Sequence, residues 1–279
     1  MQFKSPNKLY HYTSISNFAL IIKNRNICFN SLANMDDPDE EIGRDYGNKT
    51  NIGKHIYASC WTDESEESIP MWNQYAGGMH GVRICMPCFP FIKYHFAKGE
   101  FGSTYGGTFY FDHAQYYYED KFTVPGDVAL GQIKYTEVEE DLYPDYKETH
   151  VTGIIKDDRG QSIADIDNSY KLGLFGKHKR TAWRFQKEWR YLIETVPYGM
   201  KSFVENGPEK HKEISRRLDD ESYVPYHQKL FLKIDPMAFD QMEVLLGPKI
   251  DEGEKYLVDC MLKQIKFKGS VSESTLKVR

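Results

Sequence analysis

The sequence predicts an α+β fold, a mostly antiparallel β-sheet core with flanking helices. Two observations predict it. Short runs of alternating apolar and polar residues recur along the chain, and amphipathic helical spacing appears near both of its ends. At 279 residues, 40% apolar and 28% charged, the chain has the composition of a globular protein with room for a sizeable core. It reads as one domain over residues 1–279, with an insertion at about 98–180.

Residues 8–12 form the first strand pattern, and Thr13 or Ser14 is placed to cap the helix that follows, whose Ile15, Phe18, Ile21 and Ile22 recur at helical spacing. Ile27-Cys28-Phe29 reads as a brief strand, and the acidic run from Asp36 to Glu41 as a turn set by Asp37-Pro38. In residues 55–61 the alternation puts Tyr57, Ser59 and Trp61 on one face and Ile56, Ala58 and Cys60 on the other. Ser68 and Pro70 then open a short helix carrying Trp72, Tyr75 and Ala76, which Gly77-Gly78 ends before a strand over residues 81–86.

Residues 98–180 carry the least pattern, and the aromatic residues Tyr105, Tyr110, Tyr116, Tyr117 and Tyr118 there suit either stacking on the bases of a nucleic-acid target or burial in an insertion hairpin. Residues 188–194 alternate cleanly, placing Trp189, Tyr191 and Ile193 in the core and Glu188 and Arg190 on the opposite face. A charged connection with some helix over 201–222 leads to strands at 229–234 and 243–246. A last helix, near 254–266, carries Leu257, Val258, Met261 and Ile265.

Several function classes are disfavoured at this level. No window approaches the roughly 20 apolar residues of a membrane helix, and residues 1–6 carry no signal-peptide core, so a cytoplasmic location away from membranes is expected. Five cysteines are an odd, sparse set from which no disulfides are expected; Cys85 and Cys88 have metal-type spacing without a second ligand pair. A net charge of −5 argues against a general nucleic-acid coat, although residues 177–190 hold Lys177, Lys179, Arg180, Arg184, Lys187 and Arg190 against the single acid Glu188, a local attraction for phosphate or a solvated basic face. The glycine fingerprint of dehydrogenases and the P-loop are both absent.

In order, the chain presents Leu9-Tyr10-His11-Tyr12-Thr13, Asp36-Asp37-Pro38, Tyr57-Ala58-Ser59-Cys60-Trp61-Thr62, and Met71-Trp72-Asn73-Gln74-Tyr75-Ala76 with Gly81-Val82. Trp183-Arg184-Phe185-Gln186-Lys187-Glu188-Trp189-Arg190 and Leu246-Gly247-Pro248-Lys249-Ile250 follow. This succession resembles the DUF2971 family over nearly the whole chain, with Gln186 where that pattern commonly has an acid and Asp36 where it has Asn. A second resemblance is to ADP-ribosyltransferases of the diphtheria-toxin and poly(ADP-ribose) polymerase type, which carry a His in the first strand, Tyr in a later strand and in the helix after it, and a Glu opening a further strand. Here Tyr12 stands where those proteins have Gly after the His.

That resemblance implies an ADP-ribosyltransferase-like split sheet that binds NAD as substrate between the His11 and Glu188 strands and transfers ADP-ribose to a macromolecular acceptor, protein or nucleic acid. Glu188 is the implied catalytic residue. His11, Thr13, Tyr57, Ser59, Trp72, Tyr75, Gln186 and Arg190 are the implied NAD contacts. The chemistry suits these residue types: breaking the nicotinamide glycosidic bond develops positive charge on the ribose, which a carboxylate stabilises. An imidazole can hydrogen-bond ribose hydroxyls, and aromatic faces can stack on the nicotinamide. The alternatives are an NAD glycohydrolase, in which water replaces the acceptor, and a non-catalytic nucleotide-binding or regulatory module.

Overall fold

A computed structural model of the chain describes residues 5–100, 106–112, 122–156, 160–199 and 208–278. Strand β1 (Lys8–Thr13) runs into Ser14, whose hydroxyl accepts from the Asn17 amide and starts helix α1 (Ile15–Asn24). Arg25 closes the helix in the left-handed region, and β2 (Asn26–Ser31) follows. The acidic run beyond it is a 3-10 turn, Pro38–Glu41, capped by the Asp37 side chain. It leads into a hairpin of β3 (Ile42–Asp45) and β4 (Asn48–Asn51). Then come β5 (Ile56–Thr62), helix α2 (Ile69–Tyr75) capped by Ser68, and β6 (Val82–Pro87).

At Gly81 the chain passes so close beneath β1 that a Cβ there would lie 2.2 Å from the Thr13 carbonyl oxygen, so only glycine lets β6 start here. A small hairpin of β7 (Tyr94–Phe96) and β8 (Gly107–Phe109) precedes β9 (Ala129–Gln132), β10 (Lys134–Thr136) and the one-turn helix α3 (Glu139–Leu142). Strands β11 (Lys147–Lys156) and β12 (Ser162–Tyr170) form a long two-stranded ribbon. After it come β13 (His178–Arg180), a 3-10 segment Thr181–Gln186 and β14 (Glu188–Glu194). The chain continues through α4 (Pro208–Asp219), β15 (Lys229–Lys233), α5 (Pro236–Asp240), β16 (Glu243–Leu246), α6 (Glu252–Gln264) and β17 (Ser270–Glu273).

The fold is α+β on a nine-stranded, mostly antiparallel sheet, in the order β15-β2-β5-β1-β6-β16-β17, with β14 on β5 and β9 on β14; only β16 and β17 pair in parallel within it. The centre is β5. One of its edges is taken along its whole length by β14, from Glu188 opposite Thr62 to Glu194 opposite Ile56. The other edge is shared: β2 pairs with Tyr57 and Ala58, and β1 with Thr62 alone. The sheet therefore forks at β5, with β2 and β15 on one arm and β1, β6, β16 and β17 on the other, joined by α1.

The main core covers one face of this sheet. Phe18, Ile21 and Ile22 of α1 and Val258 and Leu262 of α6 pack there with Leu9, Ile84, Val244 and the inward residues of β5 and β14, namely Tyr57, Trp61, Trp189, Tyr191 and Ile193. Each fully buried large apolar side chain contributes about 1.5–3 kcal/mol by its removal from water. A smaller cluster of Leu32, Ile56, Ala58, Tyr146, Phe175 and Leu192 covers part of the opposite face.

Within residues 98–180, β9 extends the main sheet beyond β14, while β10 and β13 pair in parallel as a separate two-stranded sheet. The last helix buries Val258 and Leu262 but leaves Leu257 exposed, because its buried stripe is narrower than the sequence spacing suggests. Tyr110 stacks on Phe89; Tyr105, Tyr116, Tyr117 and Tyr118 lie outside the described residues.

Candidate functional site

Between the bridges to β2 and β1, residues 59–61 of β5 have no strand on one edge, and a cleft of about 380 Å³ opens there. Its floor is made of small residues, Ala58 and Cys60, on the face of β5 opposite the main core. Cross-strand register decides what else reaches it. Arg190 lies opposite Cys60 and Glu188 opposite Thr62, so Cys60, Thr62, Glu188 and Arg190 share a face while Trp189 and Tyr191 point into the core.

Glu188 sits in a buried ionic cluster. Its Oε1 accepts from Arg190 Nε at 2.5 Å and its Oε2 from Lys179 Nζ at 2.9 Å. Glu40, from the acidic 3-10 turn, accepts from Arg190 Nη2 at 2.7 and 3.0 Å and lies 3.2 Å from Lys179. All four side chains are at most 5% exposed. Two carboxylates against two cations leave the cluster neutral, the condition under which buried charges are tolerated. Burial alone pushes the Glu188 carboxyl up, but the charges of Arg190 and Lys179 and the Arg190 hydrogen bond outweigh it and pull it down to about 2. Glu188 is thus a carboxylate at any physiological pH. Its backbone N–H donates to the Tyr135 hydroxyl at 2.9 Å, so β10 braces the start of β14.

Gln186 reaches the cleft by a different route from the strand alternation that placed it beside Glu188. It ends the 3-10 segment, and Lys187 takes φ +43°, in the left-handed region, before β14 begins. Such a φ costs a non-glycine residue about 1–2 kcal/mol, and here it lets Gln186 and Glu188 turn to the same cavity. Gln186 Oε1 accepts from Lys179 at 3.0 Å, and its Nε2 donates to the Tyr75 hydroxyl. Burial, then the nearby charges of Asp36 and Glu188, push the Tyr75 phenol well up, so it is neutral.

His11 stands at the fork itself. Its Nδ1 lies 2.8 Å from the Cys60 carbonyl oxygen, which can only accept, so Nδ1 carries a proton. Burial lowers its pKa, leaving the ring neutral with Nε2 as a bare acceptor, and its face lies 5.0 Å from the Trp61 ring. The strands of His11 and Glu188 are not neighbours, since β5 runs between them, yet both residues line the same cleft. Thr13 and Ser59 also border it, and Ser59 Oγ accepts from Trp61 Nε1 at 3.0 Å.

Two of the residues expected in an aromatic slot are not on the cleft. Tyr57 is wholly buried in the main core and its hydroxyl donates to the His227 carbonyl; strand alternation sends it to the face away from Glu188. Trp72 is wholly buried beneath α2, edge-on to Tyr12 at 4.9 Å, with Nε1 donating to Glu67 at 2.9 Å. Of that set only Tyr75 borders the cavity.

Lys179, Glu40 and Tyr135 were not marked by the sequence as site residues. The basic run over residues 177–190 does contain Lys179, but the run is neither a phosphate patch nor a solvated face as a whole. Lys179 and Arg190 are buried in the cluster, Arg180 is paired with Asp39 and Glu137, and Lys187 with Glu64. Besides Glu188 within the run, the acids that neutralise it, Glu40, Asp39, Glu137 and Glu64, lie in separate segments that one run cannot reveal. Cys85 and Cys88 are free thiols, and among the described residues no group of three or more His, Cys, Asp or Glu is arranged to hold a metal.

No protein-family model, curated protein or solved structure matches the chain. Among the described residues, no helix is long and apolar enough to cross a membrane.

Proposed function

We propose that the cleft binds NAD and that the protein is an ADP-ribosyltransferase-like enzyme passing ADP-ribose to a macromolecular acceptor. The observation that carries this reading is the convergence of His11, Tyr75, Gln186 and an ionised Glu188 on one cavity at the fork of the sheet. The order of a His, a Tyr and a Glu along the chain that resembles the ADP-ribosyltransferases is in keeping with it. In the reaction the bond between the ribose anomeric carbon and the nicotinamide nitrogen breaks, its electron pair leaves with nicotinamide, and an acceptor nucleophile bonds to that carbon and gives up its proton to solvent. Glu188 supplies negative charge to the cationic ribose, His11 Nε2 accepts from a ribose hydroxyl, and the half-buried Tyr75 ring offers a stacking face.

A second reading is favoured by a specific observation: both Glu188 oxygens are already held by cations, which reduces the charge left for a substrate. On that reading the cleft is a nucleotide-binding module without turnover. Incubation with NAD and mass analysis of protein and solution distinguishes the cases. An adduct of ADP-ribose on an acceptor supports transfer, and free ADP-ribose with nicotinamide indicates hydrolysis. Intact NAD with calorimetric binding indicates the module, and no binding at all rejects the cleft as an NAD site.

A further inference from the structure

We infer that Lys179 is a positioning residue of the cleft, tying the Gln186 amide to the Glu188 carboxylate and so deciding which end of that amide faces Tyr75. The inference builds on the reading of the cleft as an NAD site, but the arrangement itself can be tested without NAD.

An ammonium has three N–H donors and no acceptor. Lys179 has three acceptors in reach: Glu188 Oε2 at 2.9 Å, Gln186 Oε1 at 3.0 Å and Glu40 Oε1 at 3.2 Å. Because the ammonium can only donate, the Gln186 atom facing it must be the oxygen, and the amide NH2 is thereby turned to the Tyr75 hydroxyl. That hydroxyl accepts from Gln186, so its own proton is directed away from the amide. The donors thus run one way, from the buried cation through Gln186 to Tyr75. The ammonium also lies over the Trp183 ring, 5.1 Å from its centroid, a favourable cation–π contact. Without Lys179 nothing on the Oε1 side distinguishes the two ends of the amide, and a half-turn of Gln186 would present oxygen to Tyr75 and reverse the direction of donation.

The rival account makes Lys179 only a neutralising charge for Glu40 and Glu188, and charge arithmetic separates the two. Lys179→Met leaves two carboxylates against one cation; Lys179→Met with Glu40→Gln restores balance without restoring the donor to Gln186. Fluorotyrosine in place of Tyr75, read by fluorine NMR, reports the phenol's surroundings. The expected result is a resonance displaced alike in Lys179→Met/Glu40→Gln and in Gln186→Ala, unmoved in Glu40→Gln, with the double variant's melting temperature close to that of Glu40→Gln. An unmoved resonance in the double variant overturns the proposal. Should that variant fail to fold, Lys179→Arg carries the same reading, since a planar guanidinium keeps the charge but cannot address three divergent acceptors as the ammonium does; a displaced resonance supports positioning and an unmoved one overturns it. Calorimetry with NAD on the wild type tests the NAD reading separately. Where the wild type binds, at least tenfold weaker binding by the double variant is expected.

Discussion

The His11 imidazole closes the fork of the sheet by donating from Nδ1 to the Cys60 carbonyl at 2.8 Å, where a strand would otherwise supply the partner. A side chain therefore does for β5 what the β1 backbone does two residues further on at Thr62. The consequence is testable. His11→Ala leaves that carbonyl without its partner and should cost about 1–3 kcal/mol in urea unfolding. His11→Asn, whose amide can donate, should recover part of that loss. Equal stability of wild type and His11→Ala would show that the bond holds nothing.

Glu188→Gln removes one carboxylate from a neutral buried cluster and leaves Arg190 and Lys179 facing Glu40 alone. A loss of about 3–5 kcal/mol is expected from stranding a buried charge. The pH dependence identifies the source. Since the folded carboxyl is held near 2 against an ordinary 4.5, its stabilisation is fully present above 4.5 and disappears as pH falls towards 2. The difference in unfolding free energy between wild type and Glu188→Gln should therefore be constant from pH 7 to 5 and shrink below 4.5. A difference that does not change in that acid range would place the Glu188 pKa elsewhere. Any effect on NAD turnover must be read after correcting for this instability.

The sheet was largely legible in the sequence, because residues 55–61 and 188–194 alternate and their neighbours face either core or cavity. The site was legible only in part. Glu188, Gln186, His11 and Tyr75 could be picked out, but Tyr57 and Trp72 could not be told from cleft aromatics, since burial in a core and stacking on a ligand require the same residue types. Glu40 and Lys179 were hidden for another reason. A buried ion cluster is assembled from separate segments, here an acidic turn, β13 and β14, and no local spacing encodes the meeting. The β3–β4 hairpin gave no signal because its strands are short and largely polar.

Trp72→Ala and Tyr75→Phe make a matched pair on one helix. Trp72 is wholly buried, so its truncation should cost about 3–5 kcal/mol and lower the melting temperature without a specific effect on ligand. Tyr75→Phe keeps the ring and loses only the hydroxyl that accepts from Gln186, so it should melt within a few degrees of wild type and weaken NAD binding by calorimetry. Unchanged affinity in Tyr75→Phe would remove the hydroxyl, though not the ring, from the binding site.

His55 offers a pH test at a site remote from this chemistry. It is 1% exposed and stacks on Tyr223 at 5.8 Å, and its Nε2 is buried without a hydrogen-bond partner. Burial, with the neighbouring Lys54 charge, lowers its pKa from 6.5 to about 3. The unfolded chain thus binds a proton below pH 6.5 that the folded chain refuses until about 3, so stability should fall with pH across this interval by up to about 1.4 kcal/mol per unit. Above 6.5 the residue has no effect on the slope. His55→Phe keeps a ring against Tyr223 and removes both the titration and the unpaired nitrogen. At pH 7.5 the variant should be at least as stable as wild type, and between pH 6.5 and 4.5, above the range where Glu188 titrates, its unfolding free energy should decline less steeply. Parallel slopes for the two proteins across that window would show that His55 titrates normally and that the ring is not held neutral by its burial.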